Sequence, residues 1–296
     1  MTTLERFQKG DISSLSRIIT HVENRRPGYR QLLAKLYRFE RKAVRIGLTG
    51  PPGAGKSTLV DCVSRALIKQ GESVGVIAVD PSSPSTGGAL LGDRVRYHDQ
   101  TDMGKHFFRS MATRGSQGGL SGATDNVALV MDAFGFDYVL IETVGVGQVE
   151  LDIVDNCDLV VVILVPESGD AVQTLKAGLT EIADIFVVNK SDRPGAERVV
   201  ADLTSMLDIR QKQGATEHHI PILATSAFKN EGIDKLVEVM QATLAEKLSS
   251  ERFTKERKRQ MRGKLKRILQ QRFINDTREK IGDEKIDKAV QRILDG

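Results

Sequence analysis

The run Gly50-Pro51-Pro52-Gly53-Ala54-Gly55-Lys56-Ser57-Thr58 constrains this chain more than any other. It fills every fixed position of the pattern G-x-x-x-x-G-K-[ST]. An apolar, β-branched segment at 43–49 precedes it, and a helical stripe of Leu59, Val60, Val63, Ala66 and Leu67 follows. Strand, glycine turn and helix in that order aim consecutive backbone N–H groups inward at a helix N-terminus, whose dipole adds positive potential. In such a nest Lys56 neutralises charge on the β- and γ-phosphates, and the Ser57 hydroxyl is placed to ligate Mg²⁺. The plain alternative is a structural glycine loop, and a complete pattern in its proper context argues against it. The chain is expected to bind a nucleoside triphosphate.

The purine is indicated further on. Asn189-Lys190-Ser191-Asp192 ends the apolar stretch 184–188, where the carboxyl end of a strand meets a ligand. A carboxylate at Asp192 accepts from guanine N1–H and the exocyclic amine. Adenine offers neither donor there, and an unpaired carboxylate is costly, so discrimination should be large. Asn189 would tie this loop to the phosphate loop, and the Lys190 stem would cover the base. Thr225-Ser226-Ala227-Phe228 follows another apolar segment. It has the form of a loop whose backbone N–H meets guanine O6. GTP is expected rather than ATP.

Between these runs lie the candidates for metal and hydrolysis. Asp80 ends an apolar strand and leads into a proline-, serine- and glycine-rich stretch, 81–88, that can continue neither strand nor helix. That stretch runs on to Gly92-Asp93-Arg94. A loop here that orders around γ-phosphate and Mg²⁺ is the usual form of a GTPase switch. A later strand ends in Glu142-Thr143-Val144-Gly145-Val146-Gly147-Gln148. Most GTPases have D-x-x-G at this place; here Glu142 and Gly145 occupy it. Mg²⁺ takes one or two carboxylates and keeps several waters, so Glu142, Asp80 and Asp93 are candidate shell members. Val146 stands where Ras-like proteins carry the water-orienting Gln, and Gln148 lies two residues on. Slow intrinsic turnover is expected.

Composition bounds the rest. A chain of 296 residues, 40% hydrophobic, can bury a full α/β core. Its apolar runs are too short to span a bilayer, and 1–5 opens no apolar signal region, so a cytoplasmic protein is expected. Cys62 and Cys157 read as core thiols of a reducing compartment. The five histidines and two cysteines show no metal-ligand spacing. Net charge is +4, and residues 251–296 hold 15 basic against 8 acidic residues on an amphipathic pattern. No aromatic interleaving or groove-reading motif accompanies that charge, so no nucleic-acid partner is expected.

Strands centred on 44–49, 74–79, 138–141, 159–165, 185–188 and 222–224 alternate with helices at 56–69, 123–133, 150–156, 171–180, 196–207 and 233–247. Residues 106–115 add a further candidate strand. This alternation predicts an α/β P-loop NTPase fold: a parallel sheet with helices on both faces, plus helical N- and C-terminal extensions. The expected organisation is a helical extension at 1–42 broken in two at Pro27, the nucleotide domain at 43–249 and a helical extension at 250–296.

Taken together, four runs resemble the MeaB/ArgK GTPases, which accompany cobalamin-dependent acyl-CoA mutases such as methylmalonyl-CoA mutase. They are G-P-P-G-A-G-K-S-T, V-D-P-S-S-P-S-T-G-G-A-L-L-G-D-R, F-F-R-S-M-A-T-R-G-S-Q-G-G-L-S and I-E-T-V-G-V-G-Q-V-E. The resemblance runs over almost the whole chain. It implies that Asp80, Asp93 and Glu142 are the acids associated with Mg²⁺. It also implies a third switch from Glu167 to Lys176, with Gln173 and Lys176 coupling nucleotide state to the mutase. Homodimerisation through the C-terminal helices is a further implication, and cobalamin would belong to the partner. One departure is Ser191, where the family often has Ala. The rival readings are a nucleotide-dependent protein kinase, an old label of this family, and a metallocentre-assembly GTPase.

Overall fold

The computed structural model describes residues 1–39, 43–80, 105–112, 122–143, 153–166, 179–213 and 219–250, with scattered helical positions between 258 and 294. Seven strands form one sheet: β1 (Val44–Thr49), β2 (Val74–Asp80), β3 (His106–Ala112), β4 (Tyr138–Glu142), β5 (Leu159–Leu164), β6 (Ile185–Val188) and β7 (Ile222–Ala224). Their spatial order is β3-β2-β4-β1-β5-β6-β7, and every pairing is parallel. Within the candidate strand at 106–115, His106–Ala112 form an edge strand beside β2, and 113–115 lie outside the described residues. All carboxyl ends point the same way, and the phosphate loop leaves β1 near the middle of that rim.

The strands read as continuous apolar runs because both faces of the sheet are covered. Along β5, Leu159, Val161 and Ile163 enter one core, while Val160, Val162 and Leu164 enter the other. The first core is closed by α4 (Lys56–Lys69) and α7 (Ile233–Ser249). The second is closed by α5 (Gly122–Phe134) and α6 (Ala196–Lys212).

Three N-terminal helices, α1 (Thr3–Gln8), α2 (Ile12–Glu23) and α3 (Tyr29–Leu36), share that second core. The apolar stripe Leu15, Ile18, Ile19 and Val22 recurs at helical spacing on α2 and is buried. Phe7 of α1 meets Phe134 of α5 edge-on, with ring centroids 5.1 Å apart. Helix α5 thus lies between the sheet and another helical layer, which is why Val127 to Met131 are all buried. The expected single break at Pro27 misses the first one. Helix α1 ends at Gln8 with Lys9 as its C-cap, the chain turns through Gly10, and Asp11 caps α2 by accepting from the Ser13 N–H.

One further expectation needs correction. Residues 153–156 form a turn closed by a bond from Asn156 N–H to the Ile153 carbonyl, where a helix over 150–156 was expected. Of the helix expected at 171–180, residues 171–178 lie outside the described residues, and a short helical turn occupies Thr180–Ile182. In a second compact unit, Ala245–Gly296, Leu265, Leu269 and Phe273 are exposed at four-residue spacing on helical positions. No helix among the described residues is long and apolar enough to cross a membrane.

The alternation of β1 puts Arg45 on the face covered by α5. Its guanidinium lies 3.2 Å from Asp125 Oδ1 and 3.6 Å from Asp132 Oδ2, and all three residues are buried. Asp132 also accepts from the Ala43 N–H at 3.2 Å. One cation between two carboxylates fixes the helix against the strand that carries the phosphate loop. Arg45→Ala would leave two buried acids without their partner. We expect it to lower unfolding free energy by about 3–5 kcal/mol, read from the urea midpoint at neutral pH.

Candidate functional site

The phosphate loop is shaped by two close approaches. Gly50, the first residue after β1, has φ 147°, and a Cβ there would lie 2.1 Å from the Ile163 carbonyl oxygen of β5. Gly55 has φ 81° and precedes α4; a Cβ on it would meet Asn189 Nδ2 at 2.5 Å. Neither position has room for a side chain. The signature glycines therefore let β1 turn sharply over β5 and let the purine loop approach the phosphate loop.

Lys56 is the first residue of α4 and is buried. Its Nζ donates to the Gly50 carbonyl at 2.9 Å and the Pro51 carbonyl at 3.0 Å. The ammonium thus sits within the loop whose amides would receive phosphate. Next to it, the Ser57 hydroxyl donates to Glu142 Oε1 at 2.6 Å, a distance typical of a charge-assisted bond. Glu142 is the last residue of β4, pairs in register with Leu48 of β1 and Ala78 of β2, and is buried. Parallel pairing therefore brings Ser57 and Glu142 together, although 85 positions separate them. Asp80 ends the neighbouring strand β2 at the same rim, opposite Ala112. Behind the loop, the buried Thr143 hydroxyl donates to Thr49 Oγ1 at 2.8 Å, a link between β4 and β1 that no motif announced.

The loops in which the sequence places the purine-reading residues follow β6 and β7. Asn189, 2% exposed, follows β6 and donates through Nδ2 to the Ala54 carbonyl at 2.8 Å. Its Oδ1 accepts from Ala227 N–H at 3.1 Å and from the Thr225 hydroxyl at 3.2 Å. One buried amide thus joins Ala54 of the phosphate loop to the loop after β7. Lys190 then takes φ 57°, uncommon for a residue with a side chain and of a kind that clusters at ligand-clamping loops. Asp192 receives the Ser226 hydroxyl on Oδ1 at 2.8 Å and lies 3.8 Å from Lys229 Nζ through Oδ2. The Ser226 bond is the main cause that holds the Asp192 carboxyl below its ordinary value, and Lys229 acts in the same direction. Lys229 was not singled out by the sequence, because a lysine two residues beyond a serine–alanine pair has no signature of its own.

The expected residues Asp93, Gly145, Gln148, Gln173 and Lys176 lie outside the described residues, as does the side chain of Asp80. Among the described residues no group of three or more His, Cys, Asp or Glu is arranged to hold a metal. Cys62 and Cys157 are both buried; the Cys62 thiol sits 3.3 Å from the Ala227 carbonyl, which links α4 to the purine loop.

Known proteins resemble this chain in sequence and in fold. The profile of the family described as methylmalonyl Co-A mutase-associated GTPase MeaB matches residues 15–281. A Pyrococcus abyssi protein bearing a GTPase name is 47% identical over 268 residues, covering 90% of this chain and 82% of that protein. The Mus musculus protein named methylmalonic aciduria type A homolog, mitochondrial, is 32% identical over 283 residues, covering 90% and 68%. The crystal structure of an LAO/AO transport system kinase superposes with a TM-score of 0.72 at 26% identity, covering 99% of this chain and 89% of that one.

The Asp192 contacts generate a pH prediction. A carboxyl held low stays ionised well into acid, so any guanine recognition through it would be complete above the ordinary carboxylate range and lost as pH falls through the lowered value. Ser226→Ala removes the main cause. Its Asp192 should titrate at higher pH than in the wild type by carbon NMR, and the acid limb of GDP affinity should move upward with it.

Proposed function

Because the chain belongs to the methylmalonyl Co-A mutase-associated GTPase MeaB family, we propose that it is a Mg²⁺-dependent GTPase serving as chaperone to a cobalamin-dependent acyl-CoA mutase. The GTPase activity follows from the family and its named relatives. Asn189 is the observation that best supports the guanine assignment: one side chain holds Ala54 and the Ala227 amide together beside Asp192.

In this reading Gly50, Pro51, Pro52, Gly53, Ala54, Gly55, Lys56, Ser57 and Thr58 wrap the phosphates with main-chain amides. Lys56 turns from the Gly50 and Pro51 carbonyls to β- and γ-phosphate oxygens. Asp192 accepts from the guanine edge, Ala227 offers its N–H to O6, and the Lys190 stem covers the base. Ser57 and Glu142 present two hard oxygens in contact, a donor set suited to Mg²⁺, with Asp80 and Asp93 as the further acids. When bound, Mg²⁺ would neutralise charge developing between the β- and γ-phosphates. Gly145 would offer its N–H to the γ-phosphate, and Gln148 would orient the attacking water. With Val146 in the usual glutamine position, turnover alone is slow and a partner accelerates it.

The partner assignment rests on the family description and on the mouse relative's name. Nucleotide state would reset the switch loops, and Gln173 and Lys176 would carry that change to the mutase, so that cobalamin loading is gated and damaged cofactor is excluded. The protein acts as a cytoplasmic homodimer joined through its C-terminal helices, and cobalamin stays on the mutase.

Three measurements test this. Lys56→Ala should lose GTP binding or turnover. Asp192→Asn should move preference from GTP towards xanthosine triphosphate, whose C2 oxygen suits an amide donor; unchanged preference would remove Asp192 from its role. Purified mutase should form a nucleotide-dependent complex with the protein and raise the rate of phosphate release. Absence of both effects, or transfer of labelled γ-phosphate to a protein acceptor instead of water, would overturn the chaperone reading.

A further inference from the structure

Two consecutive residues at the end of one strand grip the phosphate loop at both of its ends. Glu142, the last residue of β4, accepts from the Ser57 hydroxyl at 2.6 Å, just past the loop's exit into α4. Thr143, the next residue, sends its hydroxyl to Thr49 Oγ1 at 2.8 Å, at the loop's entry from β1. The Thr143 N–H also donates to the Leu48 carbonyl at 3.1 Å, so β4 stays tied to β1 one step beyond Glu142. Both threonines are sealed from water, Thr49 at 0% and Thr143 at 1% exposure.

A hydroxyl buried that deeply costs desolvation, which a hydrogen bond offsets, and each of these has the other. Two valines of the same shape would hold the strands together about as well. What valines lack is direction. A hydrogen bond sets both a distance and an angle, and in a β-branched residue it also fixes the single soft torsion. We infer that Thr143 is a positioning residue. By gripping Thr49 it registers the end of β4 against the root of the phosphate loop, and so holds the Glu142 carboxylate at the Ser57 hydroxyl. The inference rests on the Mg²⁺-dependent GTPase reading above and adds a residue that acts on the metal site through Glu142. A donor set held in place before the metal arrives needs less ordering when it binds.

Calorimetry of GDP binding, with Mg²⁺ and with excess chelator, gives the gain in affinity that the metal supplies. Thr143→Val should cut that gain by about 3- to 10-fold and leave the affinity in chelator as in the wild type. The Mg²⁺ concentration that half-saturates GTP hydrolysis should rise by a similar factor. Thr143→Ser keeps the hydroxyl and should restore both. The double variant Thr49→Val/Thr143→Val separates position from packing, because it leaves no buried hydroxyl orphaned. Its urea midpoint should return towards the wild type while the metal-linked gain stays low. A gain unchanged in Thr143→Val, or recovered along with stability in the double variant, would overturn the inference and leave the GTPase reading intact. So would an equal loss of GDP affinity with and without Mg²⁺, which would make the pair a packing contact alone. Wild-type protein whose guanine-nucleotide affinity does not respond to Mg²⁺ would remove the metal reading itself, and the inference with it.

Discussion

The site depends on a single buried amide. Asn189 sends its N–H to the carbonyl of Ala54 and accepts from Thr225 and Ala227, so phosphate loop and purine loop share one hinge. At 2% exposure, none of these bonds competes easily with water, and breaking one leaves a polar group stranded. Gly55 belongs to the same arrangement, because any side chain there would occupy the space of Asn189 Nδ2. The spacing between the two ends of a nucleotide is thereby built into the protein before the nucleotide arrives.

The sheet makes that spacing possible. Parallel pairing aligns the carboxyl ends of β1, β4, β6 and β7, and each delivers one part of the site. Rigidity beneath the rim comes from packing on both faces and from the charged contact between Arg45 on β1 and the two acids of α5. Helix α2 adds a further tie, an ion pair from Glu23 to Arg109 on the edge strand β3. The N-terminal helices thus contribute to the same core and brace the strand that leads out of the 81–104 region.

Much of this was legible in the sequence, for reasons that also mark the limit. The strands announced themselves through apolar runs such as Leu159–Leu164, and helix α4 through its phosphate-loop start. Lys56, Ser57, Asn189 and Asp192 stand out in the sequence because their residue types fall at fixed spacing. The Arg45 contacts were not, since Asp125 lies 80 positions away and no local period links them. Nor was the Thr143–Thr49 bond, whose partners meet only after β1 and β4 pair. The turn at 153–156 was missed for a related reason: its Ile153, together with Cys157 just after the turn, covers Gly47 of β1 instead of lining a helix face. Short-range pattern gave the elements, and cross-sheet side-chain pairing had to be seen.

Lys56 folded onto the Gly50 and Pro51 carbonyls bears on how affinity in this pocket should be understood. The loop's own peptide dipoles solvate this cation. Ligand capture is then an exchange of one coordination sphere for another around the same nitrogen, and the net gain is the difference between two well-solvated states.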